Sequence, residues 1–146
     1  MSHSLSFDDR RFCADFAACR VHPSAFDHRA HIRLAYTYLA EHDADTALTL
    51  MRSALLAFIQ HNKIPVAKYH ETLTRAWILA VRHFMAISPV AESAASFMAS
   101  NPSMLDSKIM LTHYSTEVLF SPEARARFVE PNLELIPRHD GGGLIR

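Results

Sequence analysis

The sequence predicts an all-α fold, a compact single-domain helical bundle of five to seven helices with an extended C-terminal tail. The only three glycines stand together at 141–143, so the Asn-Gly and Asp-Gly turns that favour tight hairpins are missing. Apolar residues recur at helical spacing along most of the chain. With 146 residues, 49% of them hydrophobic, the chain can bury one core without a metal or a disulfide. We place a helical domain at residues 1–130 and the tail at residues 131–146.

The first three helices are delimited by proline, by capping residues and by the period of their apolar residues. Pro23 ends the first, because the residue before a proline disfavours helical backbone. Ser24 or Asp27 supplies the N-cap of the second. Since glycine is absent from the body of the chain, we expect asparagines such as Asn62 to end helices, together with the prolines. The predicted ranges are about 7–20, 24 or 27 to 42, and 45–61.

The second half of the chain is divided in the same way. Pro89 stops the fourth helix, and the pair Asn101 and Pro102 separates the fifth from the sixth. Ser121 followed by Pro122 is an N-cap with proline at the first helical position, and it opens a short last helix. Prolines and the glycine run then predict an extended or disordered tail. The predicted ranges are about 66–87, 90–100, 103–119 and 122–129.

Composition excludes several classes of function. Fifteen basic and fifteen acidic side chains give a formal charge of zero, so no electrostatic surface for nucleic acid or an anionic membrane is expected. Phosphate-binding loops of the Rossmann and P-loop kinds need glycines that the chain lacks. The N-terminus has no apolar signal-peptide core, and no apolar run reaches the roughly 18–20 residues needed to span a bilayer, so we expect a cytoplasmic protein. Cys13 and Cys19 lie about 9 Å apart on one helix, which predicts free thiols.

Histidine is abundant, with ten residues against three lysines. At about 100° of rotation per residue, His28 and His31 fall one turn apart inside the apolar stripe of the second helix. His70 falls at the centre of the apolar face of the fourth helix, and His113 on the mixed face of the sixth. Three helices thus point four histidines toward one core, as helical bundles do when they build metal sites. We therefore predict a mononuclear metal site with ligands His28, His31, His70 and His113.

Imidazole ligands suit a transition metal ion, iron or zinc in the first place and copper or nickel as further alternatives. A site of this kind keeps positions open for a small-molecule substrate. The predicted function is a metal-dependent small-molecule enzyme, either oxygen-activating or hydrolytic. The residues predicted to handle protons or to orient the substrate are Glu71, Arg75, Tyr114 and Glu117.

The alternative is a non-catalytic helical module that binds a small ligand or a partner, with its histidines as hydrogen-bonded core residues. A histidine on an apolar face is more often such a core residue than a metal ligand. A chelator separates the two hypotheses, because it lowers the melting temperature only where a metal is bound. A helix-turn-helix DNA-binding domain has the right helix content but requires a basic face. Aromatic-rich helices and an apolar tail suggest a homodimer.

Four strings stand together in the sequence: FDHRAHIRLAYTYL, KYHETLTRAWI, LTHYSTEVLFSPEARARFVEP and NLELIP. They resemble a group of small bacterial proteins of unassigned function, over most of residues 26–137. The resemblance implies that these strings and their histidines belong to one compact unit. It carries no known activity.

Overall fold

Seven α-helices and four short 3₁₀ turns form within residues 2–139, the part of the chain that this computed structural model describes. No strand occurs in that range, so the predicted all-α class is confirmed. The α-helices are α1 (Phe7–Ala17), α2 (His28–Glu41), α3 (Ala44–His61), α4 (Glu71–Ile87), α5 (Ala94–Ser100), α6 (Thr116–Leu119) and α7 (Pro122–Ala126). The 3₁₀ turns are Pro23–Ala25, Val66–Lys68, Pro102–Leu105 and Ser107–Thr112.

The core lies where α2, α3 and α4 pack against one another. Helix α1 packs on α2 and α3, α5 on α2, and α7 on α4. Phe16 of α1 joins this core by stacking on Phe58 of α3, with ring centroids 4.8 Å apart. Among the helices of residues 2–139, none is both long enough and apolar enough to span a membrane. Cys13 and Cys19 are free thiols, as predicted.

A side chain caps the N-terminus of every α-helix in the described part of the chain. Each accepts a hydrogen bond from a backbone N–H of the first turn, which would otherwise have no partner inside the helix. Asp27, rather than Ser24, starts α2, and Ser121 with Pro122 starts α7 as predicted. The capping residues are Ser6, Asp27, Asp43, His70, Ser93, Ser115 and Ser121.

Helix ends are built without glycine. The Asn62 and Asn101 side chains donate to the carbonyls of Phe58 and Phe97, one turn earlier, which satisfies acceptors that the helix end leaves open. The left-handed backbone that glycine usually provides falls instead on Lys63, at φ 57°, and on Cys19, at φ 60°. The turn at Cys19 follows the end of α1 at Ala17, three residues before the predicted end.

Besides α1, four predicted helices are shorter than expected. Helix α5 begins at Ala94 rather than near residue 90, and α7 ends at Ala126 rather than near residue 129. Helix α4 begins at Glu71, because His70 has an extended backbone and caps the helix with its own side chain. The predicted helix over 103–119 is instead two 3₁₀ turns followed by the four-residue α6. Asp106, also extended, accepts from the Lys108 N–H, and Ser115 accepts from Val118. Such local bonds between side chain and backbone compete with helix hydrogen bonds and break the segment.

Residues 131–139 form no helix or strand and pack against the helical body. The Leu133 N–H donates to the His113 carbonyl at 2.9 Å, and Asn132 bonds Ser115 through both its amide oxygen and its amide nitrogen. Ile136 is buried in the core cluster. The glycine run at 141–143 lies outside the described residues.

Candidate functional site

A cleft of about 400 Å³ opens between the start of α2, the first turns of α4, the 3₁₀ turn Ser107–Thr112 and the end of α6. Asp27 lies at the rim of the cleft, and its capping bond fixes where α2 begins there. Apolar side chains make up most of its walls. They are Phe26, Leu73, Trp77, Met110, Leu111, Leu119 and Phe120.

His28 and His31 both line this cleft, one helical turn apart. Their rings are nearly parallel, with centroids 6.5 Å apart. The Nε2 of His28 donates to the carbonyl of Met104 at 3.1 Å, and its ring lies edge-on to Trp77 at 4.8 Å. A neutral imidazole that donates from Nε2 carries its lone pair on Nδ1. His28 is therefore fixed in one orientation by the chain around it.

His31 differs from His28 because its side chain has no hydrogen-bond partner among residues 2–139. Its ring is half-buried and lies edge-on to Phe26, with centroids 6.0 Å apart. Burial, and then the neighbouring His28, lower the pKa of His31 to about 4. At neutral pH the ring is uncharged, with one N–H and one lone pair to offer. His31 is thus the polar group of the cleft that can bond a ligand.

The charged groups of the cleft lie at its rim. Asp27 and Lys108 are both exposed, and the Asp27 carboxylate already accepts the Ala30 N–H at 2.9 Å. One negative and one positive group leave the rim without net charge. Phe120 and Leu111, 51% and 37% exposed, add apolar surface at the same cleft.

His70 is buried next to the cleft, where both of its ring nitrogens are already engaged. Nδ1 accepts from the Leu73 N–H at 3.1 Å, and Nε2 donates to the Leu119 carbonyl at 2.7 Å. Burial lowers the pKa of His70, although the bond to the Leu119 carbonyl opposes that shift. The predicted burial of His70 is correct, and the ring links the start of α4 to the end of α6.

Replacing His70 by Ala is expected to lower the free energy of unfolding by about 3 kcal/mol. The lost cap accounts for about 1 kcal/mol, and a buried carbonyl at Leu119 without its donor for about 1–3 kcal/mol. His70→Asn, which can still cap α4, should recover part of the loss. Urea unfolding measures these differences, with exposed His61→Ala as the matched control. An equal, small effect of both alanine variants would contradict this assignment.

His113 lies at a different cavity, of about 210 Å³, which it lines with His83 and Glu134. Its Nδ1 donates to the Glu134 carbonyl at 2.6 Å. The helical wheel that placed His113 with the other histidines does not apply, because the segment is not one helix. Across residues 2–139 no three His, Cys, Asp or Glu side chains are grouped so that they could hold a metal ion. The metal-binding roles of His28, His31, His70 and His113 stay predictions.

Glu71 pairs with Arg52 of α3, and not with Arg75 one turn along its own helix. Arg52 donates from Nε at 2.9 Å and from Nη2 at 2.5 Å, and the Tyr69 hydroxyl donates at 2.7 Å. Burial would raise the pKa of Glu71, but these hydrogen bonds outweigh it and lower the pKa. The Arg75 guanidinium lies over the Phe128 ring at 4.4 Å. Both side chains stabilise contacts between elements.

Tyr114 and Glu117, the other two predicted catalytic residues, are also apart from the cleft lining. Tyr114 is fully buried, and its hydroxyl donates to the Val129 carbonyl at 2.6 Å. Burial, and then the charge of Glu130, raise its pKa. Glu117 is exposed and accepts from the Thr116 hydroxyl at 3.3 Å. The four predicted catalytic residues are not brought together, and their catalytic roles stay predictions.

Sequence reasoning missed Asp9, which is only 2% exposed. Its carboxylate accepts from the Ser6 and Ala94 N–H groups and from Nε of Arg33 at 3.1 Å. Burial would raise the pKa of Asp9, but these bonds together lower it. The signal was present as Ser6-x-x-Asp9, the spacing of a capping box. Its bonds to Ala94 and Arg33 have no local signature.

His3 is half-buried in the N-terminal segment. Its Nε2 donates to the Met85 carbonyl at 2.7 Å, and its Nδ1 accepts from the Ala91 N–H at 3.1 Å. His3 therefore ties the N-terminal segment to the loop after α4. No periodicity marks such a contact, because the residue precedes the first helix.

Comparisons of this chain with protein-family models, with curated proteins and with solved structures found no match. The resemblance to small bacterial proteins stays a prediction.

Proposed function

We propose that this chain is a helical module that binds a small, mostly apolar molecule in the cleft beside His28 and His31. The observation that carries the proposal is the His31 ring, which no group in residues 2–139 bonds, in a cleft whose walls are mostly apolar. Pockets for small molecules have volumes of about 300–1,000 Å³, with apolar walls and few polar groups that set orientation. The cleft has about 400 Å³, apolar walls and His31 as such a group.

The apolar walls of the cleft contribute to the affinity for a ligand, and His31 contributes to its orientation. Apolar side chains favour burial of a ligand by about 25 cal/mol per Å² of apolar surface removed from water. His31 adds direction, because a hydrogen bond to it requires a ligand atom at one place. His28 and His70 are held by carbonyls of residues 104 and 119, so they support the shape of the site.

Ethylbenzene and 4-ethylphenol are expected to bind saturably, as followed by the indole N–H resonance of Trp77. Trp77 is the only tryptophan of the chain and lines the cleft, so this one signal reports occupancy. Leu73→Phe should weaken binding about tenfold, because the larger ring takes ligand space. Leu133→Phe, the same change at a side chain 57% exposed on the tail, is the control. The absence of a saturable shift, or equal affinity in Leu73→Phe, would refute the proposal.

A metal-dependent enzyme, the function predicted from the sequence, is the second candidate. It is favoured by one observation, the parallel rings of His28 and His31 in the same cleft. A carbonyl holds Nε2 of His28, as it often does in metal-binding imidazoles, and leaves Nδ1 free. Iron or zinc bound there would supply Lewis-acid or redox chemistry. Across residues 2–139 no three His, Cys, Asp or Glu side chains, Asp27 of the same cleft included, are grouped so that they could hold a metal ion, so the binding module is preferred.

Adding metal ions to the protein distinguishes the binding module from the metal-dependent enzyme. Zn²⁺ and Fe²⁺ are added to the protein, and the melting temperature is followed with and without chelator. For the binding module no change is expected. A rise that chelator reverses and that His28→Ala abolishes would favour the enzyme instead.

A further inference from the structure

We propose that the ligand is an uncharged ring compound with a hydroxyl group, of the phenol class, whose hydroxyl donates a hydrogen bond to His31. This inference rests on the proposed function and names the class of molecule that the cleft accepts. It uses three features of the cleft, namely its charge, the hydrogen-bonding capacity of His31 and the rings of its walls.

Charge excludes ionic ligands from the inner part of the cleft. Its charged lining residues, Asp27 and Lys108, are exposed at the rim and opposite in sign. A carboxylate or an ammonium group placed beside His31 would lose its hydration without gaining a buried counter-charge. The free energy needed to bury an unpaired charge is larger than the free energy that one hydrogen bond contributes. The inner cleft therefore favours a neutral molecule.

His31 favours a donor over a ligand that can only accept. Neither ring nitrogen of His31 is bonded by a group in residues 2–139, so no contact fixes which of the two carries the proton. A hydroxyl can donate to the lone pair or accept from the N–H, so it can bond whichever nitrogen faces the cleft, whereas an ether or a ketone can bond only the N–H. An ether or a ketone that faces the lone pair leaves that lone pair unbonded when the cleft is filled. An unbonded polar atom that is buried is costly, so a hydroxyl is preferred.

The walls favour a flat ring as the body of the ligand. Phe26 and His31 meet edge to face at 6.0 Å, and His28 meets Trp77 edge to face at 4.8 Å. Aromatic rings pack favourably in offset and edge-to-face arrangements with centroids about 4.5–7 Å apart. A further ring between these pairs would continue that packing. Phe120, half exposed at the same cleft, can cover its outer edge.

A matched series of four probes tests the inference through the Trp77 indole resonance. The probes are 4-ethylphenol, 4-ethylanisole, ethylbenzene and 4-ethylbenzoate, which share a ring and differ in one group. We expect 4-ethylphenol to bind about fivefold more tightly than 4-ethylanisole, and 4-ethylbenzoate to bind most weakly. His31→Phe should bring the ratio of the affinities for 4-ethylphenol and 4-ethylanisole to about one.

His31→Gln is the second variant, since its amide oxygen accepts a hydrogen bond and should keep part of the preference for phenol even if His31→Phe does not fold. Equal binding of phenol and anisole to the wild-type protein, or tightest binding of the benzoate, would overturn the inference while the proposed function stands. If none of the four probes shifts the Trp77 resonance, the proposed function itself fails.

Discussion

Replacing Asp9 by Ala is expected to lower the free energy of unfolding by about 3–4 kcal/mol. Asp9 caps α1 through its bond with Ser6, holds the first N–H of α5 at Ala94 and neutralises Arg33 of α2. The substitution removes all three contacts together. It also leaves Arg33, whose side chain is 30% exposed, without its counter-charge. Removing one partner of a buried ion pair typically destabilises by about 3–5 kcal/mol.

Urea unfolding of Asp9→Ala and Asp8→Ala tests this expectation. Asp8 lies in the same first turn but is exposed, so its loss should change the unfolding free energy by less than about 0.5 kcal/mol. Repeating Asp9→Ala in an Arg33→Met background should give a smaller loss, since no unpaired guanidinium remains. No dependence on Arg33 would show that Asp9 acts as a cap alone, and similar effects of Asp8→Ala and Asp9→Ala would contradict the assignment altogether.

Asp9 also illustrates which contacts the sequence can predict. The capping spacing of Ser6 and Asp9, the N-cap at Asp27 and the pair Ser121-Pro122 are local patterns, and each depends on residues within one helical turn. Such patterns set where a helix starts whatever the rest of the chain does. The link from Asp9 to Ala94 spans 85 positions and exists only because α1 and α5 pack near each other.

Charge pairing shows the same difference between contacts within one helical turn and contacts between distant parts of the chain. The spacing of Glu71 and Arg75 predicts an ion pair on one helix, but Glu71 is instead bound by Arg52, 19 residues away, in a bidentate geometry. A bidentate pair shielded by packing outweighs an exposed pair one turn away, which contributes only about 0.3–0.5 kcal/mol. A helical wheel considers only partners on its own helix, so it could not find Arg52.

The sequence predicted only part of the candidate site, because periodicity describes single helices and not the contacts between elements. Periodicity alone places His28 and His31 on the inner face of α2, and both line the cleft. The cleft itself needs the 3₁₀ turn Ser107–Thr112, which starts where the Asp106 side chain accepts from the Lys108 N–H and interrupts the expected helix. Small free-energy differences decide between such local bonds and helix hydrogen bonds. Because the expected helix is broken, His113 lies at a different cavity from the predicted site.

Lowering the pH from 7 to 4 is expected to cost the fold about 3 kcal/mol through His31 alone. The unfolded chain takes up this proton near pH 6.5, whereas burial and the nearby His28 lower the pKa of the folded ring to about 4. Between these values the unfolded state binds more protons, so stability falls as the pH falls. At neutral pH the full contribution is present, and below about pH 4 the loss is complete.

Urea unfolding at pH 7, 6, 5 and 4 measures this loss in the wild-type protein and in His31→Gln, which has no proton to bind in this range. The pKa values of His70 and His83 are also lowered, so both proteins lose stability in acid. The steeper slope of the wild-type protein isolates His31. Exposed His61→Gln should follow the wild-type curve throughout. A constant difference between wild type and His31→Gln from pH 7 to pH 4 would mean that the His31 ring gains a proton as readily in the folded chain as in the unfolded one, and the uncharged acceptor required for a hydroxyl ligand would then be lost in mild acid.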